Sequence, residues 1–363
     1  MKSRTLTRIT AMTLFAGAIT LFAALAQSPP VAQADAAAKG VAFITFDVPG
    51  STCLPPFPAC TTSVAINDAG EITGYYADAN AALHGFLRAP DGTFTKFDVP
   101  GSTCPSFSSV CTQPAGINDA GAITGFYCDA IMCHGFLRHR NGTFTTFDPL
   151  GSLATGPASI NDSGAITGYY CDAITCHGFL RDRHGTFTTF DPPGSISTGP
   201  AGINEAGEIT GTYVDASFVQ HSFLRDRDGT LTTFDPPGSI SSQAKGINDA
   251  GAITGTSSDA ITTHGFLRDR HGTFTTFDEP GFTVTSPVGI NAAGAITGDN
   301  QNASAIHGFL RDRDGDFTTF DPPGSIETLP LGINPDGEIT GWYIDASFLG
   351  HGFLRTKHGR GKR

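Results

Sequence analysis

A module of roughly 43 residues, returned seven times, limits what this chain can fold into more than any other feature. One copy reads Gly202-Ile203-Asn204-Glu205-Ala206-Gly207-Glu208-Ile209-Thr210-Gly211, then His221-Ser222-Phe223-Leu224-Arg225, then Asp228-Gly229-Thr230-Leu231-Thr232-Thr233-Phe234-Asp235-Pro236-Pro237-Gly238. The asparagine of its Ile-Asn turn recurs at Asn67, Asn118, Asn161, Asn204, Asn248, Asn291 and Asn334. A fixed period in this range belongs to propellers and solenoids, so the 363 residues are read as one repeat domain rather than the two or three that length alone suggests.

Each copy divides into four short strands. In the first copy the Asn67 to Gly70 turn supplies residues that tolerate left-handed backbone angles and closes a hairpin into a second strand, Glu71–Tyr76. The third strand, His84–Arg88, returns through Asp91-Gly92, which reads as a two-residue hairpin turn, into the fourth, Thr93–Asp98. Phe94 and Phe97 fall on opposite faces of that strand, so both faces of the small sheet require cover. The ends of the array set the architecture. An orphan fourth strand, Phe43–Asp47, precedes the first copy, and the seventh copy stops at His351–Arg355 without one. The pattern predicts an all-β fold: a seven-bladed β-propeller of four-stranded antiparallel blades, its ring closed by the N-terminal strand pairing with the last blade. An open β-solenoid is the alternative.

The combination Gly-Ile-Asn-x-x-Gly-x-Ile-Thr-Gly followed by His-Gly-Phe-Leu-Arg resembles the bacterial extracellular repeat family known as the HAF repeat, after its His-Ala-Phe core. Here Gly replaces the Ala, or Ser at Ser222, and the resemblance covers residues 41–355. It implies secretion and a repeat fold, and it brings no catalytic residues.

The flanks agree with export. Lys2, Arg4 and Arg8 precede an apolar run from Ile9 to Leu25, and Ala24-Leu25-Ala26 offers a cleavage site, so residues 1–26 read as a signal peptide. Ala32-Gln33-Ala34 is a second possible cleavage site, and a single membrane anchor is the competing reading. Residues 27–40 form a linker, and residues 356–363 a basic tail containing Lys357, Arg360, Lys362 and Arg363. The formal charge of −12 becomes more negative once the leader is gone, which argues against nucleic acid and anionic lipid as partners. The expected product is secreted or periplasmic, not inserted in a membrane after cleavage, and monomeric.

All eight cysteines fall in close pairs: Cys53-Cys60, Cys104-Cys111, Cys128-Cys133 and Cys171-Cys176. The positions of Cys128 and Cys133 become Cys171 and Cys176 one copy later, then Ser258 and Thr263 in the fifth copy, so the two members come and go together. Four local disulfides are expected, with a zinc site the alternative that these spacings fit poorly. No metal or cofactor is expected.

Two sets of polar residues recur in every copy: His84, His134, His177, His221, His264, His307 and His351, and Asp47, Asp98, Asp148, Asp191, Asp235, Asp278 and Asp321. Their equivalence marks them as a structural hydrogen-bond network rather than one asymmetric active site. No catalytic residue is assigned, since no cysteine is unpaired and no Gly-x-Ser-x-Gly occurs. Ligand-binding candidates come from the variable positions after Ile-Thr-Gly: Tyr75, Tyr76, Phe126, Tyr127, Tyr169, Tyr170, Tyr213, Trp342 and Tyr343, with the nearby Asp129 and Asp172. In a ring these aromatics form an arc broken at Thr256-Ser257 and Asp299-Asn300, suited to stacking on sugars, unless they simply fill the gaps between blades. The expected function is a non-enzymatic module that binds a carbohydrate or protein through a loop-rich face. The alternatives are a metal-assisted extracellular hydrolase or lactonase with a central-channel site, and a structural envelope or matrix protein.

Overall fold

A computed structural model describes residues 41–53, 60–104 and 109–357. The expected signal peptide and linker, 1–40, and the tail beyond residue 357 lie outside the described residues. Among the described residues there are 28 strands and no helix.

Unit one shows the logic of the rest. Strands Thr61–Ile66, Ile72–Ala77, Leu83–Arg88 and Phe94–Phe97 pair antiparallel in chain order. The turn after the first strand is closed by the Gly70 N–H donating to the Asn67 carbonyl at 3.0 Å, and the later turn by Gly92 donating to Ala89 at 2.9 Å. Gly70 and Gly92 have φ of 79° and 92°, and no other residue of either turn is left-handed. The Asp-Gly connection is therefore a three-residue loop ending in a left-handed glycine, not the two-residue turn expected from the sequence. The Asp91 carboxylate explains the difference, because it accepts the Thr93 N–H at 2.8 Å and holds the extra residue in place.

The core lies between units. Every second strand opens on a fully buried isoleucine, such as Ile123, and every third strand holds a fully buried phenylalanine, such as Phe136. Ile123 and Phe136 of unit two pack with Ile117 and Val99 against Ala65, Leu87 and Phe97 of unit one. No unit buries its apolar face alone, which is the physical meaning of the repeat. Phe94 sits 5.8 Å from Phe86 in its own unit and 5.9 Å from Phe46, whereas Phe97 turns to Phe136 and Phe144 of the next unit. Both faces of the sheet are covered, as the alternation requires. The ring of Phe97 also lies over Gly85, where an added Cβ would come within 2.6 Å of it, which accounts for glycine in His-Gly-Phe.

Three devices join the units. Each third-strand arginine lies over the last phenylalanine of the preceding unit, as Arg138 does over Phe97 at 4.9 Å and Arg181 over Phe147 at 4.8 Å. The side-chain amide of each turn asparagine donates to the carbonyl of the next one, from Asn67 to Asn118 at 3.1 Å onward. Asn334 donates back to Asn67 at 3.2 Å. Finally, the strand Val41–Phe46 pairs antiparallel with Gly350–Lys357, Val41 opposite Lys357 and Phe46 opposite Gly352. Arg88 of unit one covers Phe46 of that same N-terminal strand at 4.8 Å. First strands of successive units lie against one another, with that of unit one against Ser325–Ile333 of unit seven, so the first strands form the inside of the molecule. Single parallel pairs, such as Ala154 with Cys133, merge several units into two 12-stranded sheets, while unit one forms a 4-stranded sheet.

Candidate functional site

The recurrent His and Asp meet in every unit. Nδ1 of His84 lies 2.8 Å from Asp98, of His134 2.6 Å from Asp148, of His177 2.6 Å from Asp191, and of His221 2.7 Å from Asp235. His264 and His307 hold Asp278 and Asp321 at 2.7 Å, and His351 reaches the N-terminal Asp47 at 2.8 Å. In six units Nε2 faces a second carboxylate, from 3.3 Å at Asp129 and Asp259 to 3.6 Å at Asp215, with Asp78, Asp172 and Asp345 between. That second aspartate caps the turn between the second and third strands: the Asp129 Oδ1 accepts N–H groups from Ile131 and Met132 at 2.7 and 2.9 Å. Asp172 does the same for Ile174 and Thr175. Asp129 and Asp172 are thus held by the protein's own turn and histidine, with about a third of each side chain left open to solvent.

The aromatic pairs divide because a strand sends successive side chains to opposite faces. Tyr76, Tyr127, Tyr170, Tyr213 and Tyr343 lie against the histidine of their own unit, with ring centroids 5.1 to 5.4 Å apart. Tyr75, Phe126, Tyr169 and Trp342 are half-buried and lie opposite first-strand residues; the Tyr169 ring occupies the space a Cβ on Gly156 would take, 2.6 Å away. The sequence-level arc is therefore two sets: one closes the histidines, and the other lines the inner strands.

A carboxylate beside an imidazole nitrogen favours the charged ring. Burial opposes charge on His134 and His177, but hydrogen bonds and charge from their aspartates outweigh it and raise both pKa values. For His264 and His307 the hydrogen bonds to Asp278 and Asp321 are the largest influence, in the same upward direction. A raised histidine pKa contributes stability that is full below about pH 6.5 and lost as pH rises through the folded value. Turn N–H groups from Met132 and Thr175 lower the pKa of Asp129 and Asp172, whose contribution is lost only as pH falls below the ordinary carboxylate range. The protein should melt at a higher temperature at about pH 5.5 than at about pH 8. Melting curves rising steadily with pH over that interval would contradict this.

Sequence reading missed the groups that break the repeat. Each first strand carries a bulge, and its extra residue is Val64, Ala115, Ala158, Ala201, Lys245, Val288 or Leu331 in turn. Lys245 is the one polar member and is exposed. Asp299, in the place of Tyr75 and Trp342, is half-buried; burial pushes its carboxyl up to about 7 while Lys245 pulls it down. Although the Lys245 side chain reaches solvent, the protein crowded around the inner strands strips enough water from it to lower its pKa, opposed by Asp299. On the other face of that strand Asn300 replaces the stacking tyrosine, and its Nδ2 donates to Glu279, which stands where the other copies have valine or proline. Glu279 also accepts the Thr319 hydroxyl at 2.5 Å. The signal was present in the sequence as the gap in the aromatic arc, here filled with charge.

Four disulfides, Cys53-Cys60, Cys104-Cys111, Cys128-Cys133 and Cys171-Cys176, staple the same end of the molecule as the histidine clusters. No described helix is long and apolar enough to cross a membrane, and no group of three or more His, Cys, Asp or Glu among the described residues is placed to hold a metal ion.

No protein-family model and no curated protein sequence matches the chain. Solved structures do. A catalytically inactive virginiamycin B lyase from Staphylococcus aureus, determined with quinupristin, is 13% identical over 87% of this chain and 99% of its own, with a TM-score of 0.56. The β-propeller domain of the Trilobed protease from Pyrococcus furiosus is 9% identical over 84% and 96%, with a TM-score of 0.58. A streptogramin B lyase is 14% identical over 86% and 97%, at 0.56. At these identities the likeness concerns the fold alone. The chain is an all-β protein with β-propellers as its structural neighbours.

Proposed function

We propose that the chain is a closed seven-bladed β-propeller of the HAF-repeat kind, exported from the cell, that binds an extracellular protein or carbohydrate through its loop-rich face. The return of the asparagine circuit from Asn334 to Asn67 and the pairing of Val41–Phe46 with Gly350–Lys357 support closure and the count of seven. Four disulfides support an oxidising compartment.

The observation that carries the binding role is a division of labour between the two ends. The end with the Asn turns repeats nearly unchanged, because its asparagines form the circuit. Variation gathers at the other end, in the crossings and the turns between second and third strands, where a rigid scaffold usually displays its binding residues. A screen of the protein against glycan fragments and secreted proteins tests this. Ligands should be lost when those turns are exchanged and kept when Arg183 and Arg227 of the opposite end become alanine; the reverse pattern would overturn the reading.

A second reading, an extracellular hydrolase or lactonase working on the inner side, is favoured by Lys245 and Asp299. They are an amine and a carboxyl within each other's field and without counterparts in other units.

A further inference from the structure

Twelve large apolar side chains stay exposed among the described residues; nine lie in the turns and crossings of the loop-rich end, Ile196 and Ile326 at the starts of first strands that rise from it, and Ile44 on an outer strand. Five occupy the tips of turns between second and third strands: Ile131, Ile174, Phe218, Ile261 and Phe348, exposed by 79, 88, 76, 92 and 66%. Tips of this kind ordinarily carry polar residues, and a concentration of apolar ones on one face marks an interaction surface. They are also held in position. Asp215 accepts N–H groups from Ser217 and Val219 on either side of Phe218, whose φ is 63°, a left-handed value unfavourable for a large residue. Phe348 is at 60° in the equivalent turn of unit seven, capped in the same way by Asp345.

The ground between these prongs is acidic. The seven aspartates that end the fourth strands and six turn aspartates share this end with seven histidines. In six units each imidazole faces two carboxylates, so even a protonated ring leaves the unit negative. Lys96, which donates to the Pro49 carbonyl at 3.2 Å, is the one lysine or arginine among the described residues at this end. The arginines of the third strands and Asp-Gly turns lie at the other.

We propose that the loop-rich face docks a basic, amphipathic polypeptide segment, whose apolar side chains pack among the five prongs while its lysines or arginines meet the aspartates. The inference rests on the loop-face reading above and names its partner. Charge complementarity selects this occupant. An anionic lipid, acidic polysaccharide or nucleic acid would be repelled, a second copy of this face would set carboxylates against carboxylates, and a neutral glycan would leave the prongs in water.

The test titrates the full protein with a fluorescent helical peptide of leucine and lysine, beside the same peptide with glutamate for lysine. The lysine peptide should bind at least about tenfold more tightly, and weaken about tenfold on moving from low to high salt. The triple variant Ile131→Ser, Ile174→Ser, Ile261→Ser, with every charge unchanged and the melting temperature preserved, should weaken binding by about tenfold or more. Arg183→Ala should leave it intact. Equal binding of the glutamate peptide, indifference to the triple variant, preferential capture of phosphatidylcholine vesicles, or dimerisation that blocks the peptide would each overturn the proposal. Loss of a screened glycan in the triple variant, with no peptide binding, would overturn the partner class and leave the loop-face reading standing.

Discussion

Deleting residues 41–47 should abolish cooperative unfolding of the whole molecule. The lost strand supplies Phe43, which packs at 6.1 Å from Phe320 and 6.5 Å from Phe353, and Phe46, which lies beneath Arg88 and over Gly352. Asp47, which holds His351, goes with it. Phe43 and Phe46 are half-buried, so each loss falls short of the about 3–5 kcal/mol of a fully buried phenylalanine, yet together they are a large share of an ordinary domain's about 5–15 kcal/mol. The deletion also bares an edge of Gly350–Lys357 and removes the contact that unit one makes with Phe46. Circular dichroism melts should show a broad transition at much lower temperature, restored when a synthetic peptide of residues 41–47 is added. A deletion variant that melts sharply within a few degrees of the parent would show that the strand is dispensable.

The second large effect is local. A Cβ on Gly211 would lie 2.4 Å from the Gly199 carbonyl oxygen and 2.6 Å from the Pro200 Cα, both backbone atoms fixed by the bulge between Pro200 and Gly202. Relief requires moving the first strand of unit four. Gly211→Ala should therefore cost about 3 kcal/mol or more, the upper range for overpacking. Gly202, nine residues earlier, is the control: its nearest neighbour, a methyl of Ile247, is 3.5 Å away, an ordinary contact. Gly202→Ala should change stability by less than about 1 kcal/mol. Urea unfolding of the two variants checks both, and equal effects would mean that the bulge yields.

Much of this was legible in the chain. The surplus strand at the N-terminus and the missing one at the C-terminus gave the pairing of Val41–Phe46, and the joint loss of Cys128 and Cys133 in unit five gave the disulfide partners. Other features were hidden for definite reasons. Arg181 in the sequence Arg-Asp-Arg looks solvated, and only the packing of successive units shows it over Phe147. The asparagine recurs visibly, but its acceptor is 43 residues away in most units and cannot be found from local pattern. Division of the aromatic pairs follows from strand alternation and was readable. Lys245 was not, because a bulge adds one residue and breaks that alternation at the point where it sits.

The pairing of Asp47 with His351 spans 304 residues, and this sets the order in which the molecule can be made. Of the described strands, the earliest to be made is among the last to find its partner. Every intervening unit must be synthesised while Val41–Phe46 waits with its hydrogen-bonding edges empty. Completion of the fold therefore waits until Gly350–Lys357 has been made. It also leaves any product that stops before residue 350 with Val41–Phe46 unmatched, ready to pair with the wrong molecule.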